Sequence, residues 1–473
     1  MEHIRTYVPN LDGILNGGLP QHSTLLISGV PGSGKTILAQ QIAYGNATPE
    51  NKALMVTTVS EPLARLIQFT QEFSFFDLEK VGTAVIYEDI GPLLLEGNGE
   101  KALLHVAELA LQHQPALLIV DSFKAIHDLA ESEAGLRCAL YRLAATLAAL
   151  PCTTLLVGEY VSGGLFTAPE ATIVDGIIEL ANQPIGLRDY RSLRVRKLRG
   201  SNYRAGEHAF RITSDGLTVF PRFVTPPAPR SYTVSQERAP TGIAGLDELL
   251  QGGLLRGTST LIAGDPGVGK TVTSLHFLLN GALRGEPGSY ISFQEDPNQL
   301  TQIARNFGFD LKGLQAQGLV DMLYSSPVEL DVDEHLLKIV ETMEGVGARR
   351  VVVDSITAFE AGTVRDSDRY FNYIYSLVQW CKNRGITAVL TYERSEMFGA
   401  GLIMTGMGVS HIADNAIVMR YVPIGSEVRR AITVLKARGS EHSKEVREYL
   451  ISEEEGPRVG EPMYGIRKRN KPL

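Results

Sequence analysis

Residues 29–36 read GVPGSGKT and residues 264–271 read GDPGVGKT. Both fit the spacing G-x-x-x-x-G-K-[ST]. Each follows an apolar run, TLLIS (24–28) and STLIA (259–263), and opens a helical stretch. A strand, a glycine-rich turn and a helix in that order are the context in which this spacing cradles phosphates. Glycines let successive backbone N–H groups point inward around anionic oxygens, and the helix N-terminus adds partial positive charge. Gly29, Gly32, Ser33, Gly34, Lys35 and Thr36, with Gly264, Gly267, Val268, Gly269, Lys270 and Thr271, are therefore the candidate nucleotide-binding residues. Lys35 and Lys270 are expected to reach the β- and γ-phosphates, and Thr36 and Thr271 to ligate Mg²⁺. ATP and Mg²⁺ are the cofactors this chemistry requires.

The two loops belong to a longer repeat. NLDGILNGGLPQHSTLLISGVPGSGKT (10–36) runs in register with GLDELLQGGLLRGTSTLIAGDPGVGKT (245–271). LLIVDS (117–122) answers VVVDS (351–355), and RKLRGS (196–201) answers LKARGS (435–440). Lys35 and Lys270 lie 235 positions apart, Asp121 and Asp354 233, and Lys197 and Lys436 239. A period this long means a duplicated domain and not a solenoid. The Pro-rich stretch 220–242 separates the copies, giving domains at about 1–225 and 236–473 joined by a linker at 226–235.

Within each copy short apolar runs alternate with helical stretches. In the first, strands are expected at TLLISG, ALMVTT, ALLIVDS and TTLLVGE. Helices are expected from Lys35, from near Glu61, through KALLHVAELALQ and through GLRCALYRLAATLAAL. Such alternation predicts an α/β fold with a mostly parallel sheet covered on both faces. After residue 171 the pattern becomes β-rich, which predicts antiparallel strands added at one edge.

Two acids end apolar strands, Asp121 and Asp354. A carboxylate there faces the phosphate crevice, and its expected role is to hold Mg²⁺, through water. A water-activating base must lie within about one water of the γ-phosphate, on the strand after the first helix. In the second copy that strand ends SYISFQEDP, which makes Glu295 the candidate. In the first copy it ends MVTTVSEP (55–62), with Val59-Ser60 at the tip. Neither can act as an acid. Glu61 follows, beside Pro62, and is read as part of the first helical turn. Lys35, Lys270 and Glu295 are thus the candidate catalytic residues.

The bulk numbers set limits. A chain of 473 residues is too long for one ordinary core. Hydrophobic residues make up 44% and charged residues 21%, an ordinary globular composition. The formal net charge of −8 counts against a dedicated nucleic-acid binder. Cys138, Cys152 and Cys381 are scattered and read as buried free thiols. No apolar run reaches the roughly 18 residues of a membrane span, and MEHIRTYVPN has no apolar signal core. These features predict a cytoplasmic protein.

The combined motifs resemble the KaiC family of RecA-like ATPases over nearly the whole chain. The tandem loops, the tip before a helix, VVVDS and TYERSEMF (391–398) contribute. The most specific segments are LKARGSEHSKEVREYLIS (435–452) and RKLRGSNYRAGEHAFRITSDGLTVFP (196–221). The resemblance implies a homo-hexamer of two stacked rings with ATP between subunits. The K-x-R-G cations, Lys197 and Arg199, then Lys436 and Arg438, would reach the phosphates bound by a neighbour. It also implies a small clock-type protein partner on the first ring. The sequence departs from the family where an acid pair would stand: Val59-Ser60 in one copy, Gln294-Glu295 in the other. MGVSHIADNAIVMRY (407–421) aligns with the family's self-phosphorylated Ser-Thr segment, giving Ser410 as a phosphosite but His411 in place of Thr. Turnover is therefore expected mainly in the second domain, with weak serine autokinase activity at Ser410. The alternatives are a DNA-handling motor of the RadA or DnaB kind, for which IRKRNK (466–471) speaks, and a scaffold read by its nucleotide state.

Overall fold

The computed structural model describes residues 2–59, 63–95, 99–160, 168–185, 188–225, 235–326, 331–359, 367–393 and 412–463. Ser60, Glu61, the segment holding Ser410 and His411, and the basic tail 466–471 lie outside them. The chain divides into two compact units, Met1–Arg222 and Phe223–Leu473.

Among the described residues, each unit is built on one nine-stranded sheet. In the first the order across the sheet begins at the antiparallel edge with Gly216–Phe220, Glu207–Thr213, Arg188–Leu198 and Gly176–Ile185. It continues through the P-loop strand Thr24–Gly29, then Thr153–Gly158, Leu117–Asp121, Ala53–Thr57 and Val85–Asp89. From Gly176–Ile185 to Val85–Asp89 every pairing is parallel. Beyond Gly176–Ile185 the pairings are antiparallel. The second unit repeats this order. From the parallel edge it runs Val320–Tyr324, Gly288–Ser292, Arg350–Asp354, Thr387–Glu393 and the P-loop strand Ser259–Gly264. Asn415–Ile424, Glu427–Ala437, Arg447–Ser452 and Gly456–Pro462 complete it. The expected fold, two tandem RecA-like α/β domains with antiparallel edge strands, is the fold observed.

The composition of the strands explains the layering. Leu25, Leu26 and Ile27 are fully buried, as are Leu118, Ile119 and Val120. Successive residues of one strand enter separate cores on the two faces: Leu25 and Ile27 pack on one side, Leu26 on the other. That is why these runs are apolar throughout instead of alternating. The helix Glu133–Ala148 turns Leu136, Ala139, Leu140, Leu143 and Leu147 inward. Cys138 falls on its outer side and is exposed, while Cys152 and Cys381 are buried. The expectation of three buried thiols fails at Cys138 because of that helical phase. No helix among the described residues is long and apolar enough to cross a membrane.

Two strands carry the same irregularity. Opposite Ile177 and Ile178 the partner strand presents Lys197 and then Val195, so Arg196 is an extra residue. Opposite Ala416 and Ile417 it presents Lys436 and then Val434, leaving Leu435 extra. A bulge re-aims the side chain beside it, and here that side chain is the lysine of K-x-R-G in both copies. The glycine of that motif sits at positive φ, 75° at Gly200 and 72° at Gly439, where other residues are strained.

Candidate nucleotide site

The phosphate loops fold as the glycine spacing demands. Gly34 and Gly269 cap the following helices, Lys35–Asn46 and Lys270–Leu283, in the left-handed conformation with φ of 96° and 108°. A Cβ on Gly29 would stand 2.2 Å from the carbonyl of Leu180, and one on Gly264 2.4 Å from that of Met419. The loop therefore lies flush against the neighbouring strand. Side chains at the variable loop position turn away from the crevice: Ser33 and Val268 are both fully buried. Their N–H groups close turns on Val30 O (3.2 Å) and Asp265 O (3.4 Å).

In the first domain, the Lys35 ammonium donates to Val30 O at 2.9 Å and lies 3.8 Å from Glu159 Oε1. Thr36 Oγ1 donates to Asp121 Oδ2 at 2.7 Å. Burial pulls the Lys35 pKa below the usual lysine range, opposed by the charges of Glu159 and Asp121. These groups open on a cavity of about 650 Å³ that Gly32, Gly34, Arg65 and Arg191 also line.

The second domain repeats the arrangement with more polar support. Lys270 Nζ donates to Gly264 O (3.1 Å) and Asp265 O (2.8 Å). Thr271 Oγ1 donates to Asp354 Oδ2 at 2.8 Å, and the buried Tyr290 hydroxyl donates to the same oxygen at 2.7 Å. Thr391 Oγ1 donates to the other, Oδ1. Glu295 approaches the set, its Oε1 3.4 Å from Thr271 Oγ1. Burial and the neighbouring Asp354 carboxylate raise its pKa, with the Thr271 hydroxyl acting the other way. Lys270 is depressed by burial and supported by the charges of Glu393, Asp354, Asp265 and Glu295.

In each domain, then, a loop lysine, a hydroxyl and an aspartate lie together at the C-terminal edge of the parallel strands. Hard oxygen donors of this kind suit Mg²⁺. Thr36 with Asp121, and Thr271 with Asp354, would hold it, and the ion would supply positive charge against a polyphosphate.

Strand register clarifies the tip that differs between copies. Thr57 pairs with Asp121, and Ser292 pairs with Asp354. Counting forward from these equivalent residues puts Val59 at the place of Gln294, Ser60 at that of Glu295 and Glu61 at that of Asp296. Asp296 caps the helix Pro297–Asn306, accepting from the N–H groups of Asn298 and Gln299.

The four K-x-R-G cations stand apart from the loop of their own domain. Lys197 Nζ donates to Val174 O at 2.6 Å and Ala171 O at 3.3 Å, at the end of the short helix Pro169–Ile173. Lys436 Nζ donates to Ala413 O at 2.7 Å. Arg199 lies 3.6 Å from Asp175 and is largely exposed, as is Arg438. Sequence reasoning overlooked Glu159, Glu393 and Tyr290. For the two glutamates a signal existed: TTLLVGE and TAVLTYE end alike.

The family model described as "ATPase: KaiC" matches this chain twice, over residues 4–223 and 239–464. The chain is 31% identical over 465 residues to the circadian clock oscillator protein KaiC of Picosynechococcus sp., covering 96% of this chain and 89% of that one. It is 30% identical over 473 residues to the protein of that name from Rippkaea orientalis, with 96% and 88% covered. To the one from Synechococcus elongatus it is 29% identical over 467 residues, again with 96% and 88% covered.

Proposed function

This chain belongs to the KaiC family of ATPases, and from that premise we propose that its two domains divide the work of ATP binding and hydrolysis. The second domain turns ATP over through Glu295. The first chiefly holds ATP and supports assembly of a homo-hexameric double ring. The observation that carries this reading is the position of Glu295, 3.4 Å from the hydroxyl of Thr271, with Ser60 in the matching place of the other copy. A carboxylate there accepts the proton of the attacking water; serine cannot.

The P-loop lysines offset charge on the transferring phosphoryl group. Lys197 and Lys436, which donate to backbone carbonyls, with the exposed Arg199 and Arg438, would do so for nucleotide bound by a neighbouring subunit. A cation supplied in trans makes turnover depend on assembly. Bound nucleotide in turn stabilises the ring by linkage, about 2.7 kcal/mol at a hundredfold excess over Kd.

Lys35→Ala tests the role of the first domain. The expected outcome is loss of nucleotide from that domain together with dissociation to smaller species, followed by light scattering and by nucleotide content. A ring that stays whole with the first-domain sites empty would contradict it.

The acid limb of the turnover profile offers a second check. Glu295 must be ionised to act as a base, and its pKa is raised by burial and by Asp354. Activity should therefore climb with pH through a value above the ordinary glutamate range of about 4.3. The residual turnover of Glu295→Gln should lack that limb.

A further inference from the structure

We propose that Glu159 is a catalytic carboxylate of the first domain, ordering and deprotonating the water that attacks a nucleoside triphosphate bound at Lys35 and Thr36. The inference rests on the ATPase reading above. It goes beyond the division of labour by assigning a residue to whatever turnover the first domain retains.

The placement follows from topology. The strand Thr153–Gly158 lies between the P-loop strand and the strand ending in Asp121, and pairs with both in parallel. The residue after it must emerge at the C-terminal edge between Lys35 and Asp121. Glu159 does so, lining the same cavity as Lys35, Thr36 and Asp121. Its Oε1 is 3.8 Å from Lys35 Nζ, and its side chain is 53% exposed.

Holding the lysine is a poor account of this glutamate. A half-exposed pair at that separation contributes little, and Lys35 already donates to Val30 O. A carboxylate in a phosphate cavity also repels the ligand. That repulsion turns to use when a water lies between the carboxylate and the γ-phosphoryl group. The first domain has no carboxylate at the place of Glu295, so this position is open to another acid.

The second domain supports the assignment by contrast. Glu393 ends the equivalent strand, and its Oε2 lies 3.4 Å from Gln294 Nε2. That amide occupies the place of Val59, which is 42% exposed and has nothing to offer a carboxylate. Glu393 therefore has an amide to engage and Glu295 beside it for the chemistry. Glu159 has neither.

In the step assigned to Glu159, the water oxygen forms a bond to the γ-phosphorus. The bond from that phosphorus to the bridging oxygen breaks, and its electron pair leaves on ADP. The water's proton passes to a Glu159 oxygen and from there to solvent, and inorganic phosphate is released.

The test uses the full chain carrying Glu295→Gln, in which the first domain is the source of residual turnover. Adding Glu159→Gln should lower that residue at least 10²-fold, the usual contribution of a general base. It should leave the binding of a fluorescent ATP analogue undiminished and shift retained nucleotide from ADP to ATP. Four outcomes would overturn the proposal: no residual turnover in Glu295→Gln, residual turnover unchanged by Glu159→Gln, its loss on Glu61→Gln instead, or a fall matched by lost ATP affinity. Should Glu295→Gln retain most of the turnover, the division of labour fails. Glu159→Gln then still reports on Glu159 directly.

Discussion

Replacing Glu295 by glutamine should lower ATP turnover of the full chain by roughly 10²–10⁴-fold, the range a positioned general base contributes. The amide keeps the shape and can still accept from Thr271, so packing around Asp354 and Tyr290 should persist. It cannot take a proton. Nucleotide should accordingly be retained in both domains, with ATP accumulating in the second. Phosphate release and the ATP-to-ADP ratio of the purified protein check this together. Turnover above half of the starting value would show that some other group activates the water.

The second large effect concerns stability. Arg350 is fully buried at the start of the strand that ends in Asp354. Its Nε donates to Glu286 Oε2 at 2.7 Å, and its Nη1 to Phe277 O (2.7 Å) and Pro240 O (2.8 Å). Arg256 donates to the other oxygen of Glu286. Gly281, on the P-loop helix, makes room, since a Cβ there would meet Arg350 Nε at 2.3 Å. Glu286→Ala removes the charge partner and leaves a buried guanidinium without compensation. The expected loss is about 3–5 kcal/mol in the second domain, or roughly 6–20 °C in its thermal midpoint. The equivalent strand of the first domain begins with the buried Leu117. The first domain's transition should therefore not move, and denaturant titration followed by limited proteolysis distinguishes the two. An unchanged second transition would mean that the arginine finds water or another acceptor.

How far the fold could be read in advance depended on burial. Strands sealed on both faces, such as Leu117–Asp121, announce themselves as continuous apolar runs. The edge strand Val85–Asp89 did not: after Val85 its residues are partly or fully exposed, so VIYED resembles a loop. The pattern after residue 171 is β-rich, yet Thr172 and Ile173 still belong to the helix Pro169–Ile173. Val174 and Asp175 separate that helix from the strand that begins at Gly176.

The site divided in the same way. The loop glycines, Lys35, Thr36 and Asp121 are set by local geometry and showed in the spacing. Glu159 and Tyr290 matter because sheet order brings strands far apart in sequence to one edge. No single window contains that information. Comparing the two copies position by position would have found Glu159 and Glu393, but not Tyr290, whose counterpart in the first domain is Met55.

The extra residues Arg196 and Leu435 act as phase shifters. A regular strand sends alternate side chains to opposite faces, so one insertion exchanges the faces for everything after it. Up to Val195 and Val434 each strand keeps the rhythm of its own core. Past the insertion, the same strand presents its lysine and arginine on terms independent of that core. Deleting Leu435 would straighten the strand and leave Lys436 opposite Ala416 on its present face, removing the bend that re-aims it without changing one charge of the motif. Composition and spacing of the basic segment are therefore only half of its specification; the other half is that bend.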